Sequence, residues 1–324
     1  MIVNYPRMRR RVKGWPDDLD TALEFSSANP FSISAPKNWD GKLEYTNGSG
    51  WKMWDGSAIA SGEIENNHYI YLRGTGNSKI TGTTSSSVKW SIIGTNIACN
   101  GDIDLLLDYS TVKNGNRPAM ASYCYSNMFQ GCTSLTATPS LPATTLASYC
   151  YSNMFQGCTS LTAAPSLPAT TLANNCYNSM FQGCTSLTAA PSLPATTLNT
   201  NCYYYMFYGC TSLTTAPSLP ATTLANNCYY SMFQGCTSLT TVPSLPATTL
   251  ANNCYNSMFY LCTKIKLSTT ASGTYTKSYR IPKNGTGTTA SGALVYMFGN
   301  TGGTFNGAPK INTTYYLDES NTIV

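Results

Sequence analysis

Between residues 118 and 263 the sequence holds no Asp, Glu, Lys, Arg or His. The usual carriers of protons are therefore missing from that stretch, which excludes most acid–base catalysis there. A phosphate-binding surface is excluded too, because it needs Lys or Arg. The whole 324-residue chain has one histidine and is 10% charged, against about 25% in ordinary soluble domains. Its net charge of +5 is therefore set by the two ends.

Long apolar runs are missing as well. No stretch approaches the roughly 18 apolar residues of a membrane span. The basic cluster Arg7, Arg9, Arg10 and Arg11 is not followed by an apolar run of signal-peptide length, and Trp15-Pro16-Asp17-Asp18 interrupts early. The expectation is a chain that folds in the cytoplasm where it is made, with no membrane insertion.

What the chain has in abundance is repetition. Cys124, Cys150, Cys176, Cys202, Cys228 and Cys254 are spaced by 26 residues, and Cys132, Cys158, Cys184, Cys210, Cys236 and Cys262 keep the same period. One unit reads Asn175-Cys176-Tyr177-Asn178-Ser179-Met180-Phe181-Gln182-Gly183-Cys184-Thr185-Ser186-Leu187, followed by Thr188-Ala189-Ala190-Pro191-Ser192-Leu193-Pro194-Ala195-Thr196-Thr197-Leu198. A fixed period of this length implies stacked coils that bury one another. Cys176 and Met180 are four apart, as are Tyr177 and Phe181, so each pair fits one stripe of a helix. Asn175 fits an N-cap and Gly183 a left-handed C-cap. These features predict a short helix in each unit. Leu187-Thr188-Ala189 predicts a short strand, and Pro191 and Pro194 an extended return. Leu187, Leu193, Leu198, Cys184, Phe181 and part of Met180 are expected inside.

The Met-Phe-x-Gly-Cys-Thr-Ser-Leu-Thr core, followed by Leu-Pro-Ala-Thr-Thr-Leu, resembles the BspA-like leucine-rich repeats of gut and oral bacterial surface proteins and their phages. The resemblance covers about residues 119–267. It implies a leucine-rich-repeat solenoid that offers a binding surface and no catalysis. The Cys-Tyr pair and the near absence of charge depart from the commoner form of that repeat.

Residues 22–108 alternate like short strands between turn signals. Examples are Lys42 to Tyr45 before Asn47-Gly48, Tyr69 to Leu72, and Val88 to Ile93. They predict a small β-sandwich, and the stretch 45–82 is similar to β modules that precede such repeats in proteins of gut bacteria and phages. The expected fold class is mixed α+β. An arm (1–21) and the sandwich (22–108) lead into a solenoid of six 26-residue coils (109–267), closed by a degenerate C-terminal cap (268–324).

Spacings of 8 and 18 between cysteines, with no histidine in the array, do not fit a zinc site. Reduced thiols serving as small buried hydrophobes fit best, beside the alternative of disulfides. The lone His68 lies in a strand-like run and cannot assemble a catalytic constellation. Gly74-Thr75-Gly76-Asn77 lacks the following helix of a phosphate cradle and reads as a turn. No cofactor and no metal is expected.

Comparing the six units, a few positions vary while most are fixed. The varying ones are rich in Tyr and Asn, which suit adaptable, uncharged contacts. Tyr149, Tyr151, Asn175, Tyr177, Asn178, Asn201, Tyr204, Tyr205, Tyr208 and Tyr230 are the candidate ligand residues. Arg7, Arg9, Arg10, Arg11 and Trp15 are candidates for attachment to a particle. The expectation is a non-enzymatic phage virion surface protein, such as a tail fibre, tail-tip or head-fibre component. Its partners would be other virion proteins through the N-terminal region, and host surface glycan or protein through the array. Nucleic acid is not expected as a partner, and self-association stays open. The alternative is a bacterial BspA-like cell-surface adhesin.

Overall fold

A computed structural model of the protein describes residues 14–82 and 88–324. Its strands in chain order are β1 (Leu23–Ser27), β2 (Ser32–Ser34), β3 (Lys42–Thr46), β4 (Lys52–Met53), β5 (Ile59–Ala60), β6 (Gly62–Ile64), β7 (Asn67–Thr75), β8 (Ser91–Ile93) and β9 (Ile97–Asn100). Helix α1 (Leu105–Lys113) follows, with a non-helical break at Asp108. Then come β10 (Leu135–Ala137), β11 (Thr241–Val242), β12 (Leu267–Ser268), β13 (Tyr275–Arg280), β14 (Thr314–Asp318) and β15 (Thr322–Ile323).

Seven strands form the largest sheet, ordered β10-β9-β1-β7-β3-β4, with β6 also paired to β7. Central β7 is buried from Ile70 to Gly74, as expected of a strand covered on both faces. Its buried Arg73 is paired with Asp18 at 2.5 Å and Glu44 at 3.0 Å, and its guanidinium lies over the rings of Trp51 and Tyr109. A buried charge needs this degree of pairing. Strands β5, β2 and β8 make a separate small sheet. A tryptophan cluster fills the space beneath: Trp39 stacks on Trp54, Trp54 meets Trp90 edge-on, and Trp90 meets Phe129 of the first repeat.

The expected mixed α+β class is corrected. Among the described residues there is one α-helix, and none falls in a repeat. The protein is largely β, with several small sheets in place of a closed solenoid of helix-bearing coils. The small N-terminal β-sandwich of that expectation is corrected with it: the largest sheet continues into the first repeat through the parallel pair β9–β10.

The physical reason lies in the backbone of each repeat. Tyr149, Asn153 and Gly157 all have positive φ, at +59°, +54° and +73°. The equivalent residues of other units, such as Asn175, Ser179 and Gly183, do the same. A left-handed residue at every fourth position stops an α-helix. Hydrogen bonds alternate accordingly. The amides of Cys150, Ser152, Met154 and Gln156 each donate three residues back. The intervening amides of Tyr149, Tyr151, Asn153, Phe155 and Gly157 donate to Asn174, Cys176, Asn178, Met180 and Gln182 of the next unit. The segment is thus a chain of tight turns in which every second amide ties one unit to the next. Cys150-Tyr151 and Met154-Phe155 point inward and are fully buried, whereas Asn153, Gln156 and Gly157 are half-buried.

The inward residues form continuous rows. Tyr125, Tyr151, Tyr177, Tyr203, Tyr229 and Tyr255 stack with centroids 5.6–5.9 Å apart. Phe129, Phe155, Phe181, Phe207, Phe233, Phe259 and Phe298 stack at 5.3–5.7 Å. Leu187, Leu193, Leu198, Cys184, Phe181 and Met180 are all buried, so these expected core residues stand where the sequence puts them. All thirteen cysteines are free and buried. The thiols of Cys158, Cys184, Cys210, Cys236 and Cys262 donate to phenylalanine carbonyls of the preceding unit at 3.0–3.1 Å.

The rows are covered at both ends. Trp90 takes the place of a phenylalanine before the first unit: its amide donates to Met128 O at 2.9 Å, as Phe129 donates to Met154 O. After the sixth unit, Ala293, Val295, Met297 and Gly299 accept from Tyr255, Ser257, Phe259 and Leu261. The β12-β14-β13 sheet and the parallel pair β11–β15 then close over that end.

Candidate functional site

The out-facing pairs of successive units line up along one edge of the stack. On it, Gln130 Nε2 donates to Gln156 Oε1, and Gln156 Nε2 to Gln182 Oε1 at 2.8 Å. Asn201 Nδ2 donates to Asn175 Oδ1 at 3.0 Å, and Asn178 Nδ2 to the same oxygen at 3.3 Å. Asn201 Oδ1 is buried without a hydrogen-bond partner. At the fourth and fifth units tyrosines replace these small polar residues. Tyr204 stacks on Tyr230 at 4.9 Å, while Tyr205 meets Tyr208 and Tyr230 edge-on at 5.2 and 5.7 Å. All four rings are half-buried. Burial pushes the Tyr204 and Tyr230 hydroxyls up, so both stay neutral at ordinary pH. Tyr149 is half-buried and stacks on Tyr123 at 4.4 Å.

The structure therefore brings Tyr149, Asn175, Asn178, Asn201, Tyr204, Tyr205, Tyr208 and Tyr230 to one edge. It removes Tyr151 and Tyr177 from the ligand set. Both belong to the internal tyrosine row, at 0% and 2% exposure, because the residue directly after the first cysteine of each unit points inward. Asn175 is itself 7% exposed and acts as a spacer in the amide row.

Four residues on the same edge were missed from sequence: Tyr260, Leu261, Val295 and Tyr296. Leu261 and Val295 are each 40% exposed and Tyr296 is 63% exposed, with the Tyr260 ring edge-on to Tyr296 at 6.5 Å. Leu261 has φ +64° where the other five units carry glycine, and Tyr296 has φ +52°. The signal was present in the alignment of the units, since Leu261 breaks the Gly131, Gly157, Gly183, Gly209, Gly235 series.

Of the attachment candidates, Arg7, Arg9, Arg10 and Arg11 lie outside the described residues. Trp15 packs edge-on against Tyr71 at 5.8 Å and is half-buried. Nearby, Trp51 Nε1 donates to Asp18 at 2.9 Å, so the chain around Trp15 is fastened to the large sheet.

A second group sits where the N-terminal region meets the first repeat. The Asp104 carboxylate is nearly buried, receives the Tyr125 hydroxyl at 3.2 Å, and faces Arg117, which also pairs with Asp102. Burial, reinforced by the Asp102 charge, pushes Asp104 up to about 6. A cleft of about 400 Å³ opens beside it, lined by Arg117, Met120, Thr144 and Leu146 among others. His68 lies in β7 opposite Ser27 and Glu63. The 74–77 loop is a clasp: Asn77 Nδ2 donates to the Lys42 and Leu106 carbonyls, and a side chain on Gly74 would run into Leu106 O. Among the described residues no group of three or more His, Cys, Asp and Glu is placed to hold a metal ion.

Among the described residues no helix is long and apolar enough to cross a membrane. Compared with protein-family models, curated proteins and solved structures, the chain matches none.

Proposed function

We propose that the chain is a non-enzymatic display protein of a phage virion surface, a tail-fibre, tail-tip or head-fibre component. Its N-terminal region engages other virion proteins, and its repeat array presents an uncharged edge to host surface glycan or protein. The observation that carries the binding part of this reading is the division of labour within each unit. The inward rows repeat nearly unchanged, whereas the edge positions vary among Tyr, Asn, Ser and Gln, with no Asp, Glu, Lys, Arg or His between residues 118 and 263. Stacking demands the first; recognition uses the second. The resemblance of the repeat to BspA-like sequences supports the phage or bacterial setting. Mass spectrometry of purified particles tests it. The chain should be present at fixed stoichiometry and be labelled by antibody on intact particles. Its absence from particles, with recovery from a bacterial surface, would favour the adhesin instead.

A further inference from the structure

The edge has a property that narrows its ligand. It offers the same kind of polar group at a constant step along the stack, first as the Gln130, Gln156, Gln182 amide chain. Aromatic rings then follow in consecutive units: Tyr204, Tyr205 and Tyr208, next Tyr230, next Tyr260, and last Tyr296. A surface built by translation matches a ligand built by translation. Among repeating polymers, nucleic acid and charged polysaccharide are disfavoured, because residues 118–263 hold no cation to meet their anions. Over the first five units a folded protein partner is disfavoured by a different observation. Stable protein interfaces centre on a well-buried apolar patch. Among the described residues the exposed large hydrophobics are Met53, Ile93, Leu261, Val295 and Tyr296, none of them in the first five units.

What remains is an edge of neutral amides and hydroxyls carrying flat rings. Tyrosine combines an apolar face with a polar tip. That suits a pyranose, whose C–H face lies on the ring while its hydroxyls reach amide and phenol groups. Tyr296 provides the most open ring, and Leu261 and Val295 extend its apolar floor. Leu261 and Tyr296 keep left-handed backbone, which L-residues disfavour. Tyr296 shares this conformation with the same turn position of every unit, but at Leu261 the other five units use glycine, so the exposed leucine departs from the repeat.

We propose that this edge binds an uncharged linear polysaccharide lying along the stack axis. Tyr204 and Tyr230 hold it at the middle units, and Tyr260 and Tyr296 at the C-terminal end. The inference rests on the display reading above but fails separately from it. The test is affinity electrophoresis of the full chain in gels containing dextran, mannan, galactomannan or xyloglucan, with hyaluronate and heparin as charged comparisons.

At least one neutral polymer should retard the protein, with little change on raising salt. Its oligosaccharides should bind more tightly as they lengthen. Tyr296→Ala and Tyr230→Ala should each weaken binding about tenfold, with the urea midpoint of Tyr296→Ala unchanged. Retardation by no neutral polymer would overturn the proposal, as would retardation by heparin alone or full binding by both variants. A chain that binds mannan yet is missing from particles would refute the display reading and leave the polysaccharide site standing. A chain found on particles that binds no neutral polymer would do the reverse.

Discussion

Asn153 separates a chain of left-handed turns from a helix by the sign of an energy difference. It lies between Tyr151 and Phe155, in the middle of the segment whose four-residue spacing suggests a helix, and its φ is +54°. In a helix interior, alanine is better than glycine by about 1 kcal/mol. In left-handed backbone an L-residue loses about 1–2 kcal/mol, while glycine loses only the entropy of its freer unfolded state, about 0.5–1 kcal/mol. Glycine should therefore be better here by about 1 kcal/mol. Both substitutions remove the same contact, the 3.3 Å bond from Asn153 Nδ2 to Ser152 Oγ, so that loss cancels when the variants are compared with each other. The two conformations thus predict preferences about 2 kcal/mol apart. Urea unfolding of Asn153→Ala and Asn153→Gly supplies the measurement. The same pair at Ser179, with φ +52°, gives an independent repeat. An alanine variant more stable than its glycine counterpart at both sites would refute the turn geometry.

Three further outcomes follow from the packing. The fold raises Asp104 from 3.8 to about 6 by burial and by the Asp102 charge, a shift of about 2 units worth roughly 3 kcal/mol. This contribution is fullest below about pH 4 and is lost as pH rises through 6, so Asp104→Asn should flatten the fall in urea midpoint between pH 4 and 7. Below pH 4 the trend should turn over, because hydrogen bonds hold Asp108 and Asp318 near 2. Phe181→Ala should cost about 3–5 kcal/mol, since the ring is fully buried between Phe155 and Phe207; calorimetry showing under 1 kcal/mol would contradict a close-packed row. Burial raises the thiols, Cys176 and Cys184 to about 12, so a thiol reagent at neutral pH should react with none of the thirteen cysteines until urea unfolds the chain.

Much of the interior was legible from sequence because identical spacing forces identical rows. Leu187, Leu193, Leu198 and Cys184 recur as the same residue through the first five units for that reason, and they are buried. The turn at Asn47-Gly48 likewise announces the β3–β4 pair. Local conformation was less legible. Cys176, Met180 and Cys184 are spaced by four, which over one interval is close to the 3.6 of a helix. Over two intervals a helix would carry Cys184 some 80° away from Cys176, whereas the repeat keeps Cys176, Met180 and Cys184 all fully buried. Asn153 and Gly157, residues that tolerate positive φ, mark the turns, but a cap explains either of them taken singly. The β9–β10 pairing had no local signal at all, since it joins residues from opposite sides of α1. For the candidate edge, the sequence supplied the tyrosines but not their directions. Tyr203 and Tyr204 are neighbours in the chain, yet one is buried in the row and the other lies at the edge.

That last contrast explains how the out-facing residues of such an array vary without changing its fold. Each unit spends half of its turn-segment amides on local turns and half on the next unit, so the stack is held by backbone whatever the out-facing side chains are. Substituting Gln182 by its counterpart Tyr208, or Asn178 by Tyr204, leaves the hydrogen bonds and the Phe row in register. The position of Gly183 is different. There the backbone itself is left-handed, and five units keep glycine. Leu261 accepts the conformational cost at that place and exposes its side chain beside Tyr296. Stacking alone gives no reason for a leucine there, because its amide donates to Gly299 O at 2.9 Å just as glycine's would. Stacking therefore leaves the leucine unexplained, and its exposed side chain beside Tyr296 is the reason the C-terminal end of the edge is included in the proposed site along with the tyrosine cluster in the middle.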